Sequence, residues 1–379
     1  MELLFTGEFP PCPGGISNFM YVRCLHPPRD GLRVLAAGWN GSAAWDAVSG
    51  VPVTRFAYRH GGSLLPGVRR AQQVWRAGQA IDGELRRRKY RLITANLLFP
   101  FGSAAVDKKK THGHRVAVFC HGAELLRAKL SATARWLYRK TMPKVDKYVA
   151  NSVMTADVLA SHGWNRRRIC VIPCPVDSSR FHPGIDGSKL REEWLSGGLC
   201  GPVLLTVSRL DDIGKGIDVM IQVVAKLRRR FPGILYVIAG SGPLRATYEK
   251  AAQELGVTRH VLFAGYVADE ELPFYYAACD LFVLLSRIVP DVGYYEGFGI
   301  VYREAMACGK PVIVSREAGF HDYVTHGEDG LVVDPRDAHA VAGACEDILS
   351  DASIASEMGK RAVRFALSEP DWSPLNELA

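Results

Sequence analysis

The feature that most constrains this chain is a repeated alternation: short β-rich apolar runs followed by helical patterns, again and again, in both halves. Strands alternating with helices imply βαβ crossovers and hence parallel sheets covered on both faces. In the first half the spacing predicts strands at Glu2–Thr6, Leu32–Ala37, Leu92–Ala95, Val116–Cys120 and Lys147–Ala150. In the second half it predicts Pro202–Val207, Leu235–Ala239, Val261–Phe263, Leu281–Leu285, Pro311–Val314 and Gly330–Val333. Several of these runs end directly in Gly, Ser or Asn loops, where open α/β sheets place their ligands. Three prolines fall between Ile172 and Pro183. Proline removes a donor and biases its predecessor toward extended backbone, so this stretch reads as a linker. The expected organisation is two Rossmann-like, doubly wound domains, 1–175 and 184–379, joined by a linker at 176–183.

A chain of 379 residues is long enough for two such cores. No stretch reaches eighteen consecutive apolar residues, so no membrane-spanning helix is expected, and the first residues lack the basic and apolar regions of a secretory signal. Nine cysteines are scattered without a Cys-x-x-Cys pair; reduced, buried thiols in a cytoplasmic protein account for them. Charge is distributed unevenly. Residues 1–182 carry 28 Lys and Arg against 11 Asp and Glu, and residues 183–379 carry 19 against 28. The first half is therefore +17 and the second −9, which points the first half toward something anionic. Each basic run, such as Arg86–Lys89 or Lys108–Lys110, can also be a solvated face. The stretch Leu125–Lys140 reads either as an interfacial amphipathic helix or as an ordinary packed helix with a basic face.

One segment carries most of the chemistry. Glu296-Gly-Phe298-Gly299-Ile300-Val-Tyr-Arg-Glu304 places two carboxylates eight positions apart, about 2.2 helical turns, around a glycine-bracketed turn that leads into a helix. Backbone N–H groups at a loop-to-helix junction attract phosphate, and carboxylates accept hydroxyl protons. The pattern suits a nucleotide sugar, though an amphipathic helix with two solvated glutamates has the same spacing. Arg209 and Lys215 follow the first strand of the second half; a guanidinium fork and an ammonium together can neutralise a diphosphate. No Asp-x-Asp metal motif stands at a strand end, since Asp211-Asp212 lacks that spacing. Gly14-Gly15, after the first strand, allows close backbone approach to a ligand or makes a simple turn. His121 and Asn151 end strands and suit cleft lining as well as capping.

Taken in order, these elements resemble the family-4 retaining glycosyltransferases of GT-B fold. The resemblance runs from Gly14-Gly15 through Phe119-Cys-His121-Gly122, Val149-Ala-Asn151-Ser152 and Val171–Asp177. It continues through Val207-Ser-Arg209, Lys215-Gly216, Ile238–Pro243 and Leu262–Gly265, to the glutamate pair and Gly327–Val333. It implies two domains facing across a cleft, the first for the acceptor and the second for the donor. By the same resemblance Glu296 contacts the donor sugar's hydroxyls, and the N–H groups of Phe298, Gly299 and Ile300 help hold it and the phosphates. Glu304 takes the ribose hydroxyls, Arg209 and Lys215 the diphosphate, and His121 faces the reactive carbon; Gly14, Gly15 and Asn151 fall on the acceptor side, with Gly15 also counted among the nucleotide-sugar contacts. The chain departs from the family where Glu317-Ala-Gly-Phe-His-Asp322 replaces a Gly-Gly-x-Pro-Glu stretch. Its last ten residues end sooner than the family's closing helix, which leaves open whether that helix returns to the first domain.

The implied activity is transfer of a hexose or N-acetylhexosamine from a nucleotide diphosphate sugar to an acceptor hydroxyl, in bacterial glycan, glycolipid or glycoconjugate synthesis, without metal or other cofactor. Family frequency points to a uridine nucleotide, with a GDP-mannose-dependent mannosyltransferase as the alternative. A GT-B epimerase and a catalytically silent binding module are the other classes. The +17 half fits an anionic or lipid-linked acceptor and peripheral contact with the inner face of an anionic plasma membrane; no recognised nucleic-acid module is present.

Overall fold

The computed structural model describes residues 1–28, 31–58, 66–122 and 132–378. They form two compact units, Met1–Cys174 together with Pro370–Ala379, and Pro175–Glu369. The last ten residues thus join the first unit, where the sequence reading had grouped them with the second domain. The reason is one aromatic anchor. Trp372, 8% exposed, stacks on Phe19 at 6.3 Å and lies under the Arg23 guanidinium at 4.7 Å. Burying a tryptophan beneath a cation outweighs the ordering of a short tail.

The first unit is a seven-stranded sheet in the order β3-β2-β1-β4-β5-β6-β7. Its strands are β1 (Glu2–Thr6), β2 (Leu32–Ala37), β3 (Val53–Phe56), β4 (Leu92–Asn96), β5 (Arg115–Cys120), β6 (Lys147–Ala150) and β7 (Ile169–Val171). All pairings are parallel. The edge strands β3 and β7 were not anticipated. Four residues interrupted by Arg55, and three residues after the Arg166–Arg168 run, give too little apolar periodicity to register. Glu2 shows what burial demands of a charged residue in a parallel strand. It is fully buried, pairs with fully buried Arg23 at 2.5 Å, and accepts a hydrogen bond from Thr94 on β4.

The second unit is a six-stranded parallel sheet, β10-β9-β8-β11-β12-β13. These are β8 (Val203–Val207), β9 (Leu235–Ala239), β10 (Val261–Gly265), β11 (Leu281–Leu284), β12 (Val312–Ser315) and β13 (Leu331–Val333). The helix Ile217–Leu227 lays Ile217, Met220, Ile221, Val224 and Leu227 into the core, each 1% exposed or less. Every such side chain contributes on the order of 1.5–3 kcal/mol. In both sheets the strand order reverses once, between β1 and β4 and between β8 and β11. Such a switch point splays the loops at the carboxyl ends of the strands and opens a crevice for ligands.

All nine cysteines are free thiols. Among the described residues no helix is long and apolar enough to cross a membrane. The first part of the stretch 125–140, residues 125–131, lies outside the described residues. Its described part is a helix, Ala132–Thr141, with Trp136 58% exposed and the Lys140 ammonium 5.1 Å from the indole.

Candidate functional site

At the β8/β11 switch point of the second unit, two loops converge. The loop after β8 turns through Asp212, whose carboxylate accepts from the Gly214 N–H at 2.8 Å, and presents Lys215. The loop after β11 carries Ser286, Tyr294 and Glu296. Although 81 positions apart, Lys215 Nζ and Glu296 Oε2 meet at 2.7 Å. Tyr294 donates its hydroxyl to the same oxygen at 3.0 Å, and Ser286 does so at 3.4 Å. The Lys215 ammonium also stands 5.3 Å from the Tyr294 ring centre. That ring packs against Gly214, where a Cβ would come within 2.1 Å of it; no other residue type permits this packing.

The electrostatics follow from the contacts. Burial alone would raise the Glu296 carboxyl, but the Lys215 charge and the hydrogen bonds from Lys215, Tyr294 and Ser286 outweigh it and hold the group below its usual range. Burial likewise works against the Lys215 ammonium, yet the Glu296 carboxylate more than compensates and the lysine stays charged well above its usual range.

Glu296 leads into Gly299, at φ +88°, which starts the helix Ile300–Ala307. The phenyl ring of Phe298 is buried, edge-on to Phe320 at 5.1 Å and Tyr323 at 5.5 Å. Phe298 therefore anchors the turn and offers a ligand only its backbone. Among the described residues nothing accepts from the N–H groups of Phe298, Gly299 or Ile300, so the turn presents three donors at a helix N-terminus. Glu304 lies on the same helix, buried, accepting the Tyr276 hydroxyl at 2.7 Å. Burial pushes its carboxyl up to about 7, against the Tyr276 hydrogen bond and the Arg180 charge. The two glutamates thus sit in separate environments. Its neighbour Arg303 is buried too, donating to the Ala366 carbonyl at 2.9 Å and so holding the end of the helix Ala352–Ala366.

Arg209 is not gathered with Lys215. Its side chain is 80% exposed and pairs with Asp211 at 3.0 Å. Behind it, Gly240 and Gly242 let two loops touch, since a Cβ at either would overlap the backbone at Ser208 or Leu210. Glu317, in the stretch that departs from the family pattern, accepts the Ile288 N–H at 2.7 Å and pairs with Arg336, which braces the loop after β11.

In the first unit, His121 stands at the carboxyl end of β5. Its Nε2 lies 2.8 Å from Asn96 Oδ1, and Asn96 Nδ2 donates to Thr6 Oγ1 at 3.1 Å. This chain of bonds joins the ends of β5, β4 and β1 across the other switch point, and it assigns the Nε2–H tautomer. Burial lowers the His121 pKa to about 4, so the ring is neutral at physiological pH. Gly14, exposed and at φ +123°, caps the helix Gly15–Leu25. That helix sets the Phe19 ring edge-on to His121 at 6.0 Å. Asn151 is buried at the end of β6, and Ser152 beside it caps the helix Val153–Ser161 through the Thr155 N–H at 3.0 Å. The sequence reading missed Tyr294, Ser286, Tyr276 and Asn96. Only Asn96 had a signal, as the Asn that directly follows a predicted strand.

Residues 13–180 match the model of the Glycosyltransferase Family 4, and residues 200–365 that of the Glycosyl transferases group 1. A GDP-mannose-dependent alpha-(1-6)-phosphatidylinositol monomannoside mannosyltransferase of Mycolicibacterium smegmatis is 33% identical over 376 residues, 98% of this chain and 94% of that protein. The protein of the same name from Mycobacterium tuberculosis H37Rv is 31% identical over 381 residues, covering 98% and 95%. Among solved structures, Anabaena HepE in complex with UDP and glucose superposes with a TM-score of 0.77 at 21% identity, over 100% of this chain and 97% of that one. Sucrose-phosphate synthase of Thermosynechococcus elongatus gives 0.75 at 22%, over 100% and 96%. Two doubly wound parallel sheets in this order are the GT-B architecture, and on the full-length likeness to the mannosyltransferases the chain belongs to the family-4 glycosyltransferases.

Proposed function

We propose that the chain transfers mannose, with retention of configuration, from GDP-mannose to a hydroxyl of an anionic, lipid-borne glycoside. The observation that carries the donor half is the convergence of Lys215, Tyr294 and Glu296 beside the open N–H groups of the Phe298–Ile300 turn. It supplies a cation and backbone donors for a diphosphate, with a carboxylate for sugar hydroxyls. GDP-mannose takes the place of the expected uridine donor because both full-length relatives are named for it. HepE, crystallised with UDP, is similar at a level that speaks only to fold. The acceptor follows from the names of those relatives together with the +17 balance of residues 1–182.

In the proposed reaction, the bond between the mannose anomeric carbon and the diphosphate oxygen breaks. The acceptor oxygen bonds to the same face of that carbon, and its proton passes to the departing diphosphate, giving mannoside and GDP. Lys215 and the turn N–H groups stabilise charge on the leaving phosphate, and Arg209, once released from Asp211, adds to it. These cations supply the charge for which other transferases use a divalent metal. Glu296 orients the sugar through its hydroxyls, and Glu304 holds the ribose. On the first unit, exposed Trp75 and Trp136 lie on helices rich in arginine. They suit peripheral contact with an anionic bilayer, which brings the enzyme to its acceptor.

A donor panel of GDP-mannose, UDP-glucose and UDP-N-acetylglucosamine, assayed for nucleotide release with and without mannosylated phosphoinositide, tests the reading. It expects release from GDP-mannose only when acceptor is present. Conversion of the donor without acceptor identifies an epimerase, and binding without turnover identifies a silent module; either result overturns the proposal.

A further inference from the structure

We infer that the Lys215–Glu296 pair, backed by Tyr294, makes the site favour the intact nucleotide sugar over the nucleoside diphosphate that remains after transfer. The inference rests on the donor-site reading above and concerns how that site distinguishes substrate from product.

Every hydrogen bond that Glu296 accepts through its carboxylate falls on one oxygen. Lys215, Tyr294 and Ser286 all donate to Oε2, and among the described residues Oε1 has no protein donor. The ion pair is mostly buried, the lysine side chain 14% and the glutamate 18% exposed. The lysine's charge is therefore matched by Glu296 rather than held ready for a phosphate. A diphosphate can engage Lys215 only by drawing it from the carboxylate. What Glu296 gains in exchange then decides the affinity, because a buried charge stripped of its counter-ion is costly.

The two ligands differ at this point. An intact nucleotide sugar brings hydroxyls that donate to Glu296 as the lysine turns to the phosphate. A nucleoside diphosphate brings phosphate and no sugar beyond it, since its ribose is the partner of Glu304. It draws the lysine away and returns nothing. Product binding carries that penalty and donor binding does not, so transfer itself weakens the hold on the nucleotide and the ion pair re-forms as it leaves. Tyr294 sets the size of the effect. Its hydroxyl stays with Glu296 when the lysine departs, and its ring, fixed on Gly214, cannot follow the ligand.

Calorimetric titration of the full chain with GDP, and separately with GDP-mannose in the absence of acceptor, tests this. Glu296→Gln keeps the shape and removes the competing charge. It is expected to tighten GDP by roughly fivefold or more and to weaken GDP-mannose, inverting the wild-type preference. Tyr294→Phe is expected to weaken GDP by about threefold, because the abandoned carboxylate loses a donor; this variant keeps the test open if the glutamine variant fails to fold. GDP binding no tighter in Glu296→Gln than in wild type, or unchanged in Tyr294→Phe, overturns the exchange. Lys215→Met separates the two levels of the argument. If it weakens both ligands while the other variants behave as wild type, the donor site stands and the exchange is wrong. If GDP-mannose binding is indifferent to Lys215→Met, the donor-site reading itself falls.

Discussion

Glu296 and Glu304 are the same residue type, eight positions apart on one short segment, and the fold treats them in opposite ways. Glu296 accepts three hydrogen bonds, one from a lysine, and is held ionised. Among the described residues Glu304 has one tyrosine hydroxyl and no ion-pair partner, and burial pushes its carboxyl up to about 7. The difference shows that the spacing of a motif places carboxylates while the neighbours from other loops decide their chemistry. Glu296 is a fixed charge suited to orienting a sugar. Glu304 is near its titration point and gains most from a ligand that donates hydroxyls to it.

The comparison can be broken by substitution. Glu296→Ala is expected to lower kcat/KM for transfer by about 1,000-fold, roughly 4 kcal/mol, with the fold intact by circular dichroism. Near-normal turnover in that variant removes Glu296 from the site. Glu304→Gln is expected to raise the donor KM by about 30-fold and to leave kcat within a few-fold, because ribose binding is shared by ground and transition states. Equal losses in kcat for the two variants would mean that the two carboxylates do one job.

pH sharpens it further. In the role proposed for Glu304, ribose hydroxyls bind its ionised form, so GDP affinity should rise by up to about tenfold between pH 6 and pH 8 in the wild type, and stay level in Glu304→Gln. For stability the sign is opposite. A carboxyl raised in the folded state binds more protons there than in the unfolded chain between its ordinary value of 4.5 and about 7. Its contribution is therefore complete below pH 4.5 and lost as pH rises through 7. Glu296, lowered, contributes above its ordinary value of 4.5 and loses that contribution as pH falls below it. Thermal unfolding of Glu304→Gln and Glu296→Gln across pH 4 to 8 should show these opposite trends relative to wild type. The smallest expected effect is none at all. With a pKa of about 4, the His121 ring should show no titration between pH 5.5 and 8 by NMR, and a step there would contradict its neutral, fixed role.

Much of the architecture was legible because parallel strands buried on both faces are written as apolar runs, and loops ending in Gly, Ser or Asn mark their carboxyl ends. Glu296, Glu304 and Lys215 were legible because motif spacing fixes them locally. Tyr294 was not: two residues before Glu296, it earns its place only through Gly214, eighty positions earlier, and nothing in a local pattern announces that contact. The same holds for Asn96 and His121, which meet because β4 and β5 are neighbours in the sheet. Arg209 shows the reverse case. Its place in the motif suggested a partner for Lys215, yet exposed on its loop it pairs with Asp211. The return of Trp372 to Phe19 and Arg23 rests on one indole, and a single side chain carries no periodicity.

The most direct measurement of the central claim is the anomeric configuration of the product formed from GDP-α-mannose and a mannosylated phosphoinositide, read by proton NMR alongside GDP release. The account predicts an α-mannoside and one GDP for each mannose transferred. A β-mannoside, or altered sugar nucleotide with no new glycoside, would contradict it.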